Sequence, residues 1–383
     1  MLMCVKKLVK KLKRRCCRNM ENKYAWFEKL EWKNYRAPFV IEKDNMYYKS
    51  LKQKYDDLIK DMKSAAVDTK HIVTVELYSK KVIEALDDYY QGDIFGAQAK
   101  VNELLLDCMD SDIAVSDVNG SIAFRGLGEE VQFFRARLND TIVDFPAEQM
   151  LHIPFNMRER VKSERFSVPG LPCLYLGNTS YACWIEMGKP AEHQFNVSPI
   201  VLDNSQKIFN LAISITDIDE LMKNPNEQTE TYINDLFKLL VLMIATSYRV
   251  EQNDRNFKSE YIIPQLLMLA CKANGIDGIT YLSKQVSSEA FAMVVAVNLV
   301  LFATYKSGEV LSEICTHMQI DDSFNFAMFK HLMPSLKYKE YRLRIDNSPL
   351  IKNFGTYKRQ FPYKETDFYE FDKYIFANWE RKK

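Results

Sequence analysis

The sequence predicts an α+β fold, on three observations. Apolar residues recur at spacings of three and four between positions 46 and 109, the period of helices that pack by one face. From position 131 onward short apolar or alternating runs take over, as strands require. These runs and the helical segments between them follow no regular β-α alternation, so a mixed sheet suits their order better than a doubly wound parallel one. At 383 residues and 47% hydrophobic content, the chain can bury a sizeable core and hold two or three domains of ordinary size. No run approaches the ~18 apolar residues of a spanning helix, and the best, 292–303, is strand-like in its valines. No membrane span is expected.

Residues 1–20 hold eight Lys/Arg and no acid, with Val5, Leu8, Val9 and Leu12 at helical spacing. They read as a basic amphipathic segment, to which no function is assigned. The net charge of +1 hides this asymmetry, because the remainder carries 44 basic against 51 acidic residues. Residues 24–43 are rich in Trp and Tyr and are interrupted by Pro38. Helices are then expected at 46–62, 72–89 and 93–109, within a helical N-terminal domain over 44–112. Residues 112–128, polar and with three glycines, read as a linker.

Strands are expected at 131–137, 173–176, 198–202, 208–213, 276–281 and 293–302, with helices at 178–187, 217–222, 230–248 and 261–273. The C-terminal extension, 311–383, carries Tyr338, Tyr341, Phe354, Tyr357, Tyr363, Phe368, Phe371, Phe376 and Trp379. Aromatics among lysines can stack on single-stranded nucleic acid. Here Glu365, Asp367, Glu370 and Asp372 sit between them, so the extension is expected to pack on the body and nucleic acid is not an expected partner. Eight cysteines occur without a C-x-x-C pair, and Cys16 and Cys17 are adjacent. Neither a zinc site nor a disulfide framework is indicated, and the thiols suit a reducing cytoplasm.

The most informative stretch is 151–190. Arg165 opens a turn-rich piece, Phe166-Ser167-Val168-Pro169-Gly170-Leu171-Pro172, whose prolines and glycine fix a loop. Cys173-Leu174-Tyr175-Leu176 reads as a short buried strand. Asn178-Thr179-Ser180 supplies the N-cap of a helix carrying Glu186 and ending near Gly188 and Pro190. An arginine, a tyrosine and a glutamate thus fall on a loop, a strand and the next helix.

The run from Arg165 through Gly170, Leu174-Tyr175-Leu176 and Glu186 resembles the core motif of the RES domain. Phe134-Arg135-Ala136-Arg137 is similar to that family's first strand, and Asp277-Gly278-Ile279-Thr280-Tyr281-Leu282-Ser283 to its serine-bearing strand. The resemblance covers 130–304, and a RES domain over 125–310 is the corresponding expectation. It implies an ADP-ribosyltransferase-like fold and a bacterial toxin that destroys NAD as substrate, with no resident cofactor or metal and with an Xre-type antitoxin as partner. Some family members carry a ribonuclease-like helical domain with Arg and His on one helix. Here His71 has no arginine within helical reach on its N-terminal side, so a structural or antitoxin-docking bundle is the better reading.

Breaking the glycosidic bond of NAD requires a phosphate anchor, a surface for nicotinamide and a group opposing positive charge on the ribose. An arginine forks onto phosphate oxygens, an aromatic face holds the nicotinamide, and a carboxylate stabilises the oxocarbenium-like centre. By resemblance these are Arg165, Tyr175 and Glu186, with Ser283 ordering ribose or Glu186 and Arg135 as a second basic residue. Each has a plainer reading: Arg165 bracing the loop, Tyr175 in the core, Glu186 paired with Lys189, Ser283 capping a turn. The motif also departs from the better-known short toxins, since Glu164 precedes Arg165 and Phe166-Ser167 follows. His152 and His193 lie nearby, but the family calls for no histidine. No Gly-rich phosphate loop is present, against an oxidoreductase or kinase. Water or inorganic phosphate is the expected acceptor. The competing readings are a protein ADP-ribosyltransferase and a non-catalytic RES-fold binding module.

Overall fold

The computed structural model describes residues 24–124, 131–213, 229–252, 254–286, 296–333, 350–352 and 360–382. The basic segment 1–20, the helix expected at 217–222 and Tyr338, Tyr341, Phe354 and Tyr357 lie outside them. The described chain is α+β. A short helix α1 (Trp26–Lys29) and strand β1 (Phe39–Ile41) lead to α2 (Tyr47–Ser64), α3 (Thr69–Tyr90) and α4 (Ile94–Leu106). The carboxylates of Asp68 and Asp93 accept hydrogen bonds from the first-turn amides of α3 and α4, satisfying donors that a helix start leaves open. Tyr47, Leu51, Tyr55, Leu58 and Met62 form the buried stripe of α2.

The main sheet contains β2 (Val115–Ser116), β3 (Phe133–Leu138), β4 (Cys173–Gly177), β5 (Phe195–Leu202) and β6 (Ile208–Asn210). It is completed by β8 (Gly278–Leu282), β9 (Val297–Phe302), β10 (Met318–Ile320) and β11 (Phe324–Asn325). The order is β10-β5-β3-β4-β9-β8-β6-β2, with β11 also on β5. All its pairs are antiparallel except β6 with β8. The described part of the stretch 112–128, up to residue 124, is therefore more than a linker. Val115 and Ser116 pair with Phe209 and Ile208, and the buried Asn210 amide donates to the Ile113 carbonyl at 3.1 Å. Burial of this backbone requires partners, and the sheet edge provides them.

Between sheet strands come α5 (Ser180–Glu186), α6 (Thr229–Thr246) and α7 (Ile262–Ala273). The helix expected to run to position 248 stops at Thr246, and β7 (Tyr248–Val250) follows, pairing in parallel with β1. An aromatic and a β-branched residue, Tyr248 and Val250, on the buried side suit a strand better than a helix end. The N-terminal helices pack on α6 and α7: the Tyr47 and Tyr55 hydroxyls donate to the carbonyls of Ala245 and Val241, both at 2.9 Å. One apolar core runs from Leu51 and Val75 through Leu236 and Leu267 to Ile208, Ile279 and Leu299.

A second core lies around α5, α8 (Phe326–Leu332) and α9 (Asp367–Lys382). Adjacent residues Phe133 and Phe134 divide between the two cores, as the alternation of a strand dictates. Phe368, Phe371, Phe376 and Trp379 are buried there, and Phe326 stacks on Phe368 at 4.8 Å. These tail aromatics pack on the body, as their interleaved acids suggest. A small hairpin of β12 (Leu350–Lys352) and β13 (Gln360–Pro362) precedes α9. No helix among the described residues is long and apolar enough to cross a membrane.

Candidate active site

Arg165 is turned into the protein by its own loop. Glu164 and Ser167 exchange backbone hydrogen bonds of 3.0 and 3.2 Å, which puts Arg165 and Phe166 at the tip of a tight turn. That tip is driven inward, with Arg165 only 5% exposed. Its Nη1 donates to the carbonyls of Thr246 at 3.2 Å and Leu282 at 3.3 Å, and Nη2 to Leu282 at 3.2 Å. The guanidinium lies 4.2 Å from the Tyr281 ring centre, within cation–π range. Among the described residues no carboxylate forms an ion pair with it.

Arg135 on β3 reaches the backbone of Tyr175 on the neighbouring β4. Arg135 Nη1 donates to the Tyr175 carbonyl at 2.7 Å, while its Nε is enclosed with no hydrogen-bond partner among the described residues. Burial, and then the like charge of Arg137, push the Arg135 guanidinium down to about 10. Burial likewise raises the Tyr175 hydroxyl well above its usual range. Both tyrosine and arginine are half-buried, so each presents a face to solvent-accessible space.

Glu186 closes α5. The Thr179 side chain accepts from the Ala182 amide at 2.9 Å to start that helix, and Gly177 lets the strand turn into it. A Cβ on Gly177 would meet Cys183 Sγ at 2.9 Å and the Thr179 carbonyl at 3.0 Å. The Glu186 side chain is exposed, and its Oε1 accepts from Asn298 Nδ2 at 2.6 Å. Asn298, 3% exposed, pairs with Gly177 on one side and Tyr281 on the other. Three adjacent strands therefore give one row, Gly177-Asn298-Tyr281, beneath the carboxylate. No Glu186–Lys189 ion pair occurs among the described residues.

These residues share one cavity of roughly 320 Å³, lined by Arg135, Arg165, Tyr175, Glu186, Tyr281 and Asn298 with Glu164 and Tyr261 beside them. A second cavity of roughly 250 Å³ shares Arg135, Glu164 and Tyr175 and adds Arg160 and Lys162. Ser283 does not line either. It sits just past β8, where its hydroxyl accepts from the Gln285 amide at 3.2 Å, the turn-capping alternative. The residue before it, Leu282, receives Arg165 on its carbonyl. His152 is structural: buried, it accepts from the Ser312 amide at 3.0 Å and donates to the Ile153 carbonyl at 2.8 Å.

With this geometry in place, the similarities of the chain can be stated. No protein-family model matches it. A Bacillus subtilis (strain 168) protein named "Putative toxin YopC" is 31% identical over 243 residues, 58% of this chain and 51% of that protein. The chain thus spans about half the length of that curated relative. Among solved structures, the M. tuberculosis MbcT-MbcA toxin-antitoxin complex aligns with a TM-score of 0.30 at 12% identity, over 61% of this chain and 99% of that one. A score of that size does not establish a shared fold.

Asn298, Tyr281 and Tyr261 were not singled out by sequence reasoning. For Asn298 a signal existed: it is the one polar residue in Val-Asn-Leu-Val-Leu-Phe, a strand buried at every position. A buried amide needs partners, and here one of them is the glutamate. Tyr281 lay inside the segment matched for Ser283, and Tyr261 carries no local mark at all.

Proposed function

We propose that this protein is an NAD-consuming toxin of RES type, cleaving the bond between nicotinamide and ribose. The observation that carries this reading is the convergence of Glu186, steadied by Asn298, with Arg165, Arg135 and Tyr175 on one cavity. In the reaction the C1′–N bond breaks and its electron pair neutralises the nicotinamide ring, while an oxygen of water or phosphate bonds to C1′ and gives up a proton. Glu186 opposes the positive charge that gathers on the ribose. Tyr175 offers an aromatic face, and the two arginines, without carboxylate partners among the described residues, supply charge for a diphosphate. The adjoining cavity gives a two-part ligand a two-part recess. The name of the B. subtilis relative supports a toxin, and a silencing antitoxin protein belongs to the same proposal.

The deciding experiment is nicotinamide release by Glu186→Gln, with NAD affinity and thermal unfolding measured on the same preparation. A glutamine keeps an acceptor for Asn298 and removes the charge. Turnover is expected to fall on the order of 10²–10³-fold, with affinity and unfolding near wild type. Full activity would remove Glu186 and the mechanism with it.

A further inference from the structure

We propose that Lys258 and Lys284, gathered on Tyr261 at the edge of the cavity, form an oxyanion subsite that takes a phosphate group of the ligand. Lys284 Nζ lies 3.3 Å from the Tyr261 hydroxyl and 4.4 Å from the ring centre, and Lys258 Nζ lies 4.7 Å from that centre. Tyr261 itself lines the cavity, and the two lysines stand against its ring just outside that lining. Among the described residues neither lysine has a carboxylate within ion-pair distance. Arg255, three positions before Lys258, shows the contrast: it binds both oxygens of Glu260 as well as Asp44. The acid nearest in sequence to Lys258 is therefore already engaged.

Two lysine amines and a phenol thus meet near Arg165, and among the described residues no carboxylate pairs with either lysine. Burial, and then the charge of Arg165, push the Lys284 ammonium down to about 7, against the pull of Glu260 and Glu186. Keeping a desolvated ammonium close to a guanidinium is unfavourable, unless an anion completes the group. A phosphate has several oxygens to share among an ammonium pair, a hydroxyl and a fork. This subsite deepens the NAD reading and rests on it for the ligand's identity, since a dinucleotide's diphosphate and an inorganic phosphate acceptor present the same chemistry.

The test is calorimetric titration of the full chain with inorganic pyrophosphate and, separately, inorganic phosphate, for wild type, Lys258→Gln, Lys284→Gln and Lys284→Arg. Wild type is expected to bind at least one probe. Affinity should fall about tenfold or more in each Gln variant, and Lys284→Arg should keep most of it. Preference for pyrophosphate assigns the subsite to the dinucleotide, and preference for phosphate assigns it to the acceptor. Neither probe binding wild type, or both Gln variants binding as wild type does, would overturn the subsite. Nicotinamide release is read independently, so its absence beside intact pyrophosphate binding removes the NAD reading and leaves the subsite standing.

Discussion

Arg165 has two duties that pull its substitutions in different directions. It braces the carbonyls of Thr246 and Leu282 from inside the core, and its exposed edge borders the cavity. Arg165→Ala leaves two buried carbonyls unpaired, each costing about 1–3 kcal/mol. A clear drop in unfolding temperature is therefore expected for Ala. Arg165→Lys keeps the charge but loses the fork, so it should retain more stability while NAD affinity weakens. Equal unfolding temperatures in wild type and Arg165→Ala would rule out the brace. At this scale the sequence was readable where chemistry was concentrated in one stretch, as with Arg165, Tyr175 and Glu186. It was silent where single residues from distant elements converge. Tyr261, Lys284 and Asn298 lie on three different segments, and only strand pairing and the approach of α7 bring them to one place.

The helix that carries Glu186 is held by an element far along the chain. Asp372, on α9, accepts hydrogen bonds from the Ser180 amide at 3.2 Å and from the Tyr363 hydroxyl. Burial outweighs these donors and pushes its carboxyl up to about 7, above the ordinary value near 3.9. The folded state thus holds the proton more tightly than the unfolded state does. Asp372 contributes most stability below about pH 4, and that contribution is lost as pH rises toward 7. Asp372→Asn should flatten this part of the profile. Thermal unfolding at pH 5 and pH 8 checks it, and parallel profiles for variant and wild type would refute the assignment. The elements themselves were legible where periodicity was long, as in α2, α3 and α4. The two-residue strands β2 and β11 were not, because so few residues set no period and their pairing, with β6 and β5, is decided by distant partners.

The N-terminal helices and the sheet share one apolar core rather than meeting across a linker. Residues 125–310 alone would leave Leu236, Leu240 and Leu267 without the cover that α2, α3 and α4 provide. That fragment is expected to lack a cooperative thermal transition, whereas the full chain should unfold in one. A fragment melting as sharply and as high as the full chain would show the helices to be dispensable. The same dependence extends to time. Ser180 and its Asp372 partner are 192 positions apart, and at ~5–20 residues synthesised per second the helix bearing Glu186 waits on the order of ten to forty seconds for its final support. A ribosome-bound chain in that interval carries Glu186 on a helix that rests on β3 and β4 alone, and anything that binds it during translation meets the cavity before its last brace is in place.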